Sequence, residues 1–138
     1  MSEPGRARGA CNCGAVAWEV AGALRDVYVC HCSICRRWTG ADGVAVVVVP
    51  KTDFRWTRGA ETVREWRKPG ADWASSFCPT CGSVLPGEND EARMFVPAGA
   101  IDEGAEGLAV AHHIFVASRA PWDVIGDDGR QHAGHIEG

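Results

Sequence analysis

Three thiols fall within the six residues Cys30-His31-Cys32-Ser33-Ile34-Cys35, and Arg36 and Arg37 follow at once. Sulfurs this crowded cannot all pair with one another in disulfides, but a turn of backbone can aim them at one metal ion. An ion with three protein ligands keeps a fourth position open, which separates a reactive zinc site from a closed structural one. The other four of the seven cysteines form two close pairs, Cys11/Cys13 and Cys78/Cys81. The second pair lies in Phe77-Cys78-Pro79-Thr80-Cys81-Gly82. That is the pattern of a zinc knuckle, with Gly where backbone amides fold back toward sulfur. Brought together by the fold, the two pairs supply the four thiolates of a closed tetrahedral site. The division uses every cysteine and needs no histidine: Cys11, Cys13, Cys78 and Cys81 for a structural zinc, and Cys30, Cys32 and Cys35 for an open one.

Electron counting gives the open site a chemical character. Zn²⁺ with three thiolates carries a formal charge of about −1, which makes it a poor Lewis acid for carbonyls or water. It remains a good site for a fourth soft ligand, and a thiolate is the natural choice. The expected chemistry is making or breaking a bond at a substrate's sulfur, rather than metal-hydroxide hydrolysis. Iron–sulfur ligation is the rival metal reading, but neither common ferredoxin spacing is present. Cys32-Ser33-Ile34-Cys35 has the form of a redox Cys-x-x-Cys, yet that motif belongs in a βαβ context this chain lacks.

Composition narrows the alternatives. A chain of 138 residues with 46% hydrophobic and 23% charged residues is that of one ordinary globular domain. The formal net charge of −4 gives no basic excess to hold nucleic acid. No run approaches the ~18 apolar residues of a membrane span. The first ten residues are polar, without an apolar signal core, so a cytoplasmic protein is expected. In that reducing compartment an odd number of clustered cysteines points to metal rather than to disulfides.

The elements that must position these thiols read as short strands. Residues 1–8 look like a disordered tail, 9–125 like the zinc-binding domain and 126–138 like a polar C-terminal tail. Ala15 to Val20 mixes β-branched and aromatic residues, and Asp26 to Cys30 delivers the chain into the thiol stretch. Ser33 to Thr39 has room for a short helix with Ser33 as cap and Gly40 ending it. Gly43 to Val49, nearly all Val and Ala, reads as a central strand buried on both faces. Phe54–Thr57, Thr62–Trp66, Trp73–Phe77, Met94–Val96 and Ala111–Ala117 complete the set. Trp56 and Trp66 are the expected cross-strand or core aromatics, and Gly99–Gly107 a Gly- and acid-rich loop. No sustained 3.6-residue period appears, so the class is mainly β: a compact domain of short antiparallel strands with little helix.

Taken in order, Cys11-Asn12-Cys13-Gly14-Ala15-Val16, the Cys30–Arg37 stretch and the Cys78–Gly82 knuckle are joined by two further motifs. These are Ala98-Gly99-Ala100-Ile101-Asp102 and His113-Ile114-Phe115-Val116-Ala117-Ser118-Arg119-Ala120-Pro121-Trp122. The combination resembles the family named for the glutathione-dependent formaldehyde-activating enzyme (GFA), also called the centromere-protein-V family. The resemblance covers roughly residues 9–125. It implies a β-tent fold with two zinc ions per chain, and glutathione or a related thiol as co-substrate at the three-cysteine zinc. The named activity condenses formaldehyde with glutathione to S-(hydroxymethyl)glutathione, the reverse of a carbon–sulfur lyase reaction. Asp42-Gly43 and Ser75 depart from the pattern expected of the family, at positions that could line a substrate pocket.

Among the remaining candidates, Arg36 and Arg37 are suited to clamp substrate carboxylates. Trp38 could wall the pocket, and His113 could face it. His112 should then point to the opposite face of the same strand, and His31, between two ligands, away from the metal. Trp122 is expected to pack in the core, and Asp102 to occupy a turn. The competing function class is a non-catalytic binding module stabilised by zinc. Oligomeric state, the electrophile and the acid or base that moves protons are not readable from the chain.

Overall fold

The computed structural model describes residues 6–136. In chain order its strands are β1 (Arg6–Ala10), β2 (Ala17–Ala21), β3 (Asp26–Cys30), β4 (Val44–Pro50), β5 (Phe54–Arg58) and β6 (Arg64–Arg67). They continue with β7 (Ala74–Phe77), β8 (Gly87–Glu88), β9 (Arg93–Pro97), β10 (Ile101–Glu103), β11 (Ala109–Ile114) and β12 (Arg130–Gln131). One α-helix, α1 (Ser33–Thr39), interrupts them. The protein is mainly β, as the strand patterns predict.

Three sheets form. One has the order β10-β1-β2-β5, a second β12-β11-β3-β4-β9-β8, and β6 pairs with β7 alone. Most neighbours are antiparallel, but β11 runs parallel to both β3 and β12. The first two sheets close over one core, in which Ala7, Trp18 and Val20 meet Val47, Val49, Met94 and Val96. Trp18, at 1% exposure, dominates it. Burying a ring of that size contributes about 4–6 kcal/mol. This outweighs the ~1–3 kcal/mol cost of an unpaired buried donor, here the indole N–H, which has no hydrogen-bond partner among the described residues. A second, smaller cluster gathers Val16, Leu85, Cys11 and Cys78.

Several expectations need correcting. Arg6–Ala10 is a full strand paired with β2 and β10, so residues 6–8 are not a tail; residues 1–5 lie outside the described residues. The polar C-terminal stretch is also tied down. Its β12 extends the second sheet, and Phe115 and Val116 donate backbone hydrogen bonds to Gly134 and His132. Backbone pairing does not depend on side-chain polarity, which is why composition misses it. Ile101–Glu103 pairs with β1 inside the expected loop, placing Asp102 on a strand. In β4, Val44, Val47 and Val49 are buried while the intervening residues are only half so. Trp122 is 68% exposed, not core. Of the two cross-strand or core candidates, Trp66 is 51% exposed and lies opposite Ser75 across β6 and β7, whereas Trp56 packs against both hydrophobic clusters.

Candidate metal centre

The three-thiol stretch is built at the end of β3. Cys30 closes that strand, Cys32 caps α1, and Cys35 lies one turn in, buried. The expected cap was Ser33; instead the Cys32 sulfur accepts the Cys35 N–H at 3.4 Å, and Gly40 ends the helix in the left-handed region as predicted. The Thr39 hydroxyl donates to the Gly43 carbonyl at 2.9 Å, pinning the helix end to the start of β4. Cys30 in turn pairs with Val44 across β3 and β4. The sulfurs of Cys30, Cys32 and Cys35 all lie within 4.8 Å of one another and could hold one metal ion.

The four-thiol group joins two turns that are remote in sequence. Cys11 and Cys13 occupy the β1–β2 turn, and Cys78 and Cys81 the knuckle after β7. In both, a glycine with positive φ (Gly14 at 79°, Gly82 at 76°) donates its N–H back to the carbonyl of the first cysteine. That conformation is open to Gly at little cost. The turns are tied directly, the Asn12 N–H donating to the Ser83 hydroxyl at 3.0 Å. Sulfur separations are 3.6 Å for Cys11–Cys13 and 3.8 Å for Cys13–Cys78. Tetrahedral zinc with ~2.3 Å bonds requires about 3.8 Å between ligands, so the donor set fits a closed site.

Proton sharing in both clusters points the same way. The hydrogen bond to Cys35 draws the Cys30 thiol down to about 6, while that contact and burial push Cys35 up. Hydrogen bonds from Ser83 draw Cys81 down to about 5. Thiolates this close repel one another, and a divalent cation relieves the repulsion.

A cavity of about 510 Å³ opens beside the three-thiol group. Cys30 and Cys35 are in its lining, with Trp38, Trp73 and Phe95 as an aromatic wall and Asp72, Glu88, Asp90 and Glu91 among its polar groups. A neighbouring cavity of about 550 Å³ shares Trp38 but contains no cysteine. Of the sequence candidates, Trp38 lines both cavities. Arg36, Arg37 and His113 are not in the lining of the cysteine cavity. Arg37 is exposed on α1, and the Arg36 Nε is buried without a hydrogen-bond partner among the described residues. Asp42 and Gly43 line other cavities, and the buried Ser75 donates to the Trp66 carbonyl.

His113 belongs to a chain of polar groups that is buried except at its outer end, Asp127. Its Nδ1 lies 2.8 Å from His31 Nε2, its Nε2 2.8 Å from Asp127 Oδ1, and His31 Nδ1 3.1 Å from Asp123 Oδ2. Of the three links, the one without hydrogen-bond geometry is His31 to Asp123. The chain fastens the ligand loop to the C-terminal segment, where His135 is near enough for its positive form to favour the Cys30 thiolate. Nothing in the spacing of these histidines and aspartates reveals it. His31 and His113 meet because the parallel register sets Val29 against His113 and Cys30 against Ile114.

Two comparisons bear on this arrangement. A crystal structure of a Rhodobacter sphaeroides protein superposes with a TM-score of 0.57 at 27% identity, covering 70% of this chain and 88% of that one. The profile of the glutathione-dependent formaldehyde-activating enzyme family matches residues 6–118, which take in both cysteine clusters and the strands that carry them. With the cysteine motifs, the mainly β fold and that match in agreement, the chain belongs to the GFA family.

Proposed function

We propose that the protein is a zinc-dependent enzyme that forms or cleaves a carbon–sulfur bond in a thiol adduct, with the substrate thiol entering at Cys30, Cys32 and Cys35. The observation that carries this reading is the unequal division of sulfurs. One group of four can close a coordination shell, and one group of three has two members, Cys30 and Cys35, in the wall of an open cavity. Cys11, Cys13, Cys78 and Cys81 would hold a structural zinc, and Cys30, Cys32 and Cys35 a second zinc with room for a further ligand. Zinc at the three-cysteine site supplies a place where a thiol gives up its proton at neutral pH yet stays nucleophilic.

The rest falls to the chain itself. α1 and the Cys30–Val44 pairing fix the three sulfurs, and the wall of Trp38, Trp73 and Phe95 keeps bulk water from one side of the cavity. The family's named reaction balances as thiolate plus formaldehyde plus a proton giving the S-hydroxymethyl adduct. The sulfur lone pair forms the new bond to carbon, and the carbonyl π pair moves to oxygen, which takes the proton. The co-substrate in this reading is a small thiol, of which the family's name supplies glutathione as one example.

The test compares Cys35→Ser with Cys78→Ser, measuring zinc per chain, soluble yield and protection of zinc from a chelator by added thiol. Cys35→Ser should fold with about one zinc and lose thiol protection, whereas Cys78→Ser should lose solubility, because structural thiolate sites contribute folding energy directly. Equal loss of solubility in both variants, or no effect of thiol on the native protein's zinc, would refute the reading.

A further inference from the structure

Resting on the reading that a thiol binds at Cys30, Cys32 and Cys35, we infer that this thiol carries a positively charged group at the end away from its sulfur. The cavity beside Cys30 and Cys35 is lined by four carboxylates and a single cationic side chain, Arg67. Ion pairs decide which of these charges remain free. Asp90 is held by Arg93 at 2.6 Å, Glu88 by Lys51 at 3.1 Å, and Arg67 by Glu65 at 3.2 Å. Asp72 and Glu91 have neither ion pair nor hydrogen bond among the described residues. The uncompensated charge around the cavity is therefore negative. A divalent ion held by the three thiolates would add charge of the same sign.

The aromatic wall provides a second, independent feature. Trp38 meets Trp73 at 5.4 Å and Phe95 at 5.8 Å, both edge to face. Indole and phenyl faces beside free carboxylates attract an ammonium through the ring quadrupole as well as through charge. The same surroundings repel a carboxylate, and glutathione brings two carboxylates with one ammonium. A small aminothiol, or its adduct, matches the cavity's charge better than an anionic thiol does.

The experiment uses the full chain with cobalt in place of zinc and follows the sulfur-to-cobalt absorption on titration. The probes are 2-aminoethanethiol, 2-mercaptoethanol, 3-mercaptopropionate and glutathione. The native protein should bind the aminothiol more tightly than mercaptopropionate, and the margin should shrink as salt is added. These thiols differ in acidity, so the deciding quantity is the same affinity ratio in the double variant D72N/E91Q, where acidity cancels. The preference should fall on the order of tenfold there, from two screened charges acting with opposite sign on the two ligands. Trp73→Leu should weaken the aminothiol more than neutral mercaptoethanol. An unchanged ratio in the double variant, or a native preference for mercaptopropionate, overturns the inference while leaving the open-site reading intact. A spectrum that no thiol alters sinks that reading itself, and this inference with it.

Discussion

Gly43 lies where β4 begins, with no room for a side chain. A Cβ built there would stand 2.4 Å from the Cys30 carbonyl oxygen and 3.1 Å from its carbon. Real Cβ atoms essentially never come closer than 3.0 Å, so Gly43→Ala must drive the two backbones apart by at least 0.6 Å. The backbone displaced is that of Cys30, a ligand in the proposed function, and metal–ligand distances tolerate only about ±0.2 Å. Overpacking of this kind costs about 1–3 kcal/mol. Taken up wholly at the three-sulfur site, that corresponds to metal affinity lower by roughly 5- to 150-fold, at about 1.4 kcal/mol per tenfold. Chelator competition on the metal-loaded protein should resolve two classes of ion, only one of them weakened. Two controls isolate the effect. Gly99→Ala meets nothing within 4 Å and should be silent. Gly9→Ala strikes Trp18 and the Ala100 carbonyl, and should lower global stability without selecting one metal class. Native affinity of both ions in Gly43→Ala, or weakening confined to the four-cysteine ion, would refute the argument.

Glu19 is buried on β2 and gathers Arg55, Arg6 and Arg8, with Arg55 donating twice to one carboxylate oxygen. Chiefly through Arg55, its carboxyl is held below the usual 4.5. A carboxyl lowered in the folded state stabilises above its ordinary value and loses that contribution as the pH falls through the folded one. The difference in melting temperature between the native chain and Glu19→Gln should thus be full at pH 7 and close on acidification; a gap that widens toward acid would contradict the assignment. His113→Leu leaves the buried His31 Nε2 without its partner. The loss should cost about 1–3 kcal/mol, read as a melting temperature lower by roughly 3–10 °C for a chain of this size. Thiol binding should survive in that variant, because His113 is outside the cysteine cavity; loss of thiol binding with native stability would show that His113 acts on substrate instead.

Local information was enough for the two cysteine groups. The three-sulfur loop spans six residues, so its geometry is set by one strand end, one short turn of helix and a sulfur cap. The two knuckles likewise carry their glycines in the chain itself, and the strand patterns placed β3, β4 and β9 within a residue or two. Which sulfurs meet across the fold followed from counting, since four and three is the division that uses every thiol.

What the chain order could not disclose depends on register and on backbone pairing between distant segments. The Asp123–His31–His113–Asp127 chain exists because β11 lies parallel to β3 in one particular register, and a slip of one residue would turn His113 to the other face. Arg36 and Arg37 follow the thiols in sequence, yet the cavity's charge comes from Asp72 and the residue 88–91 turn, two segments delivered by the β6–β7 hairpin and by the turn between β8 and β9. The C-terminal stretch joins the second sheet through main-chain hydrogen bonds that its polar side chains do not advertise. Ligand type is a property of residues close along the chain. The surroundings of the three-cysteine group belong to contacts between segments far apart in it, and only the closed fold decides those.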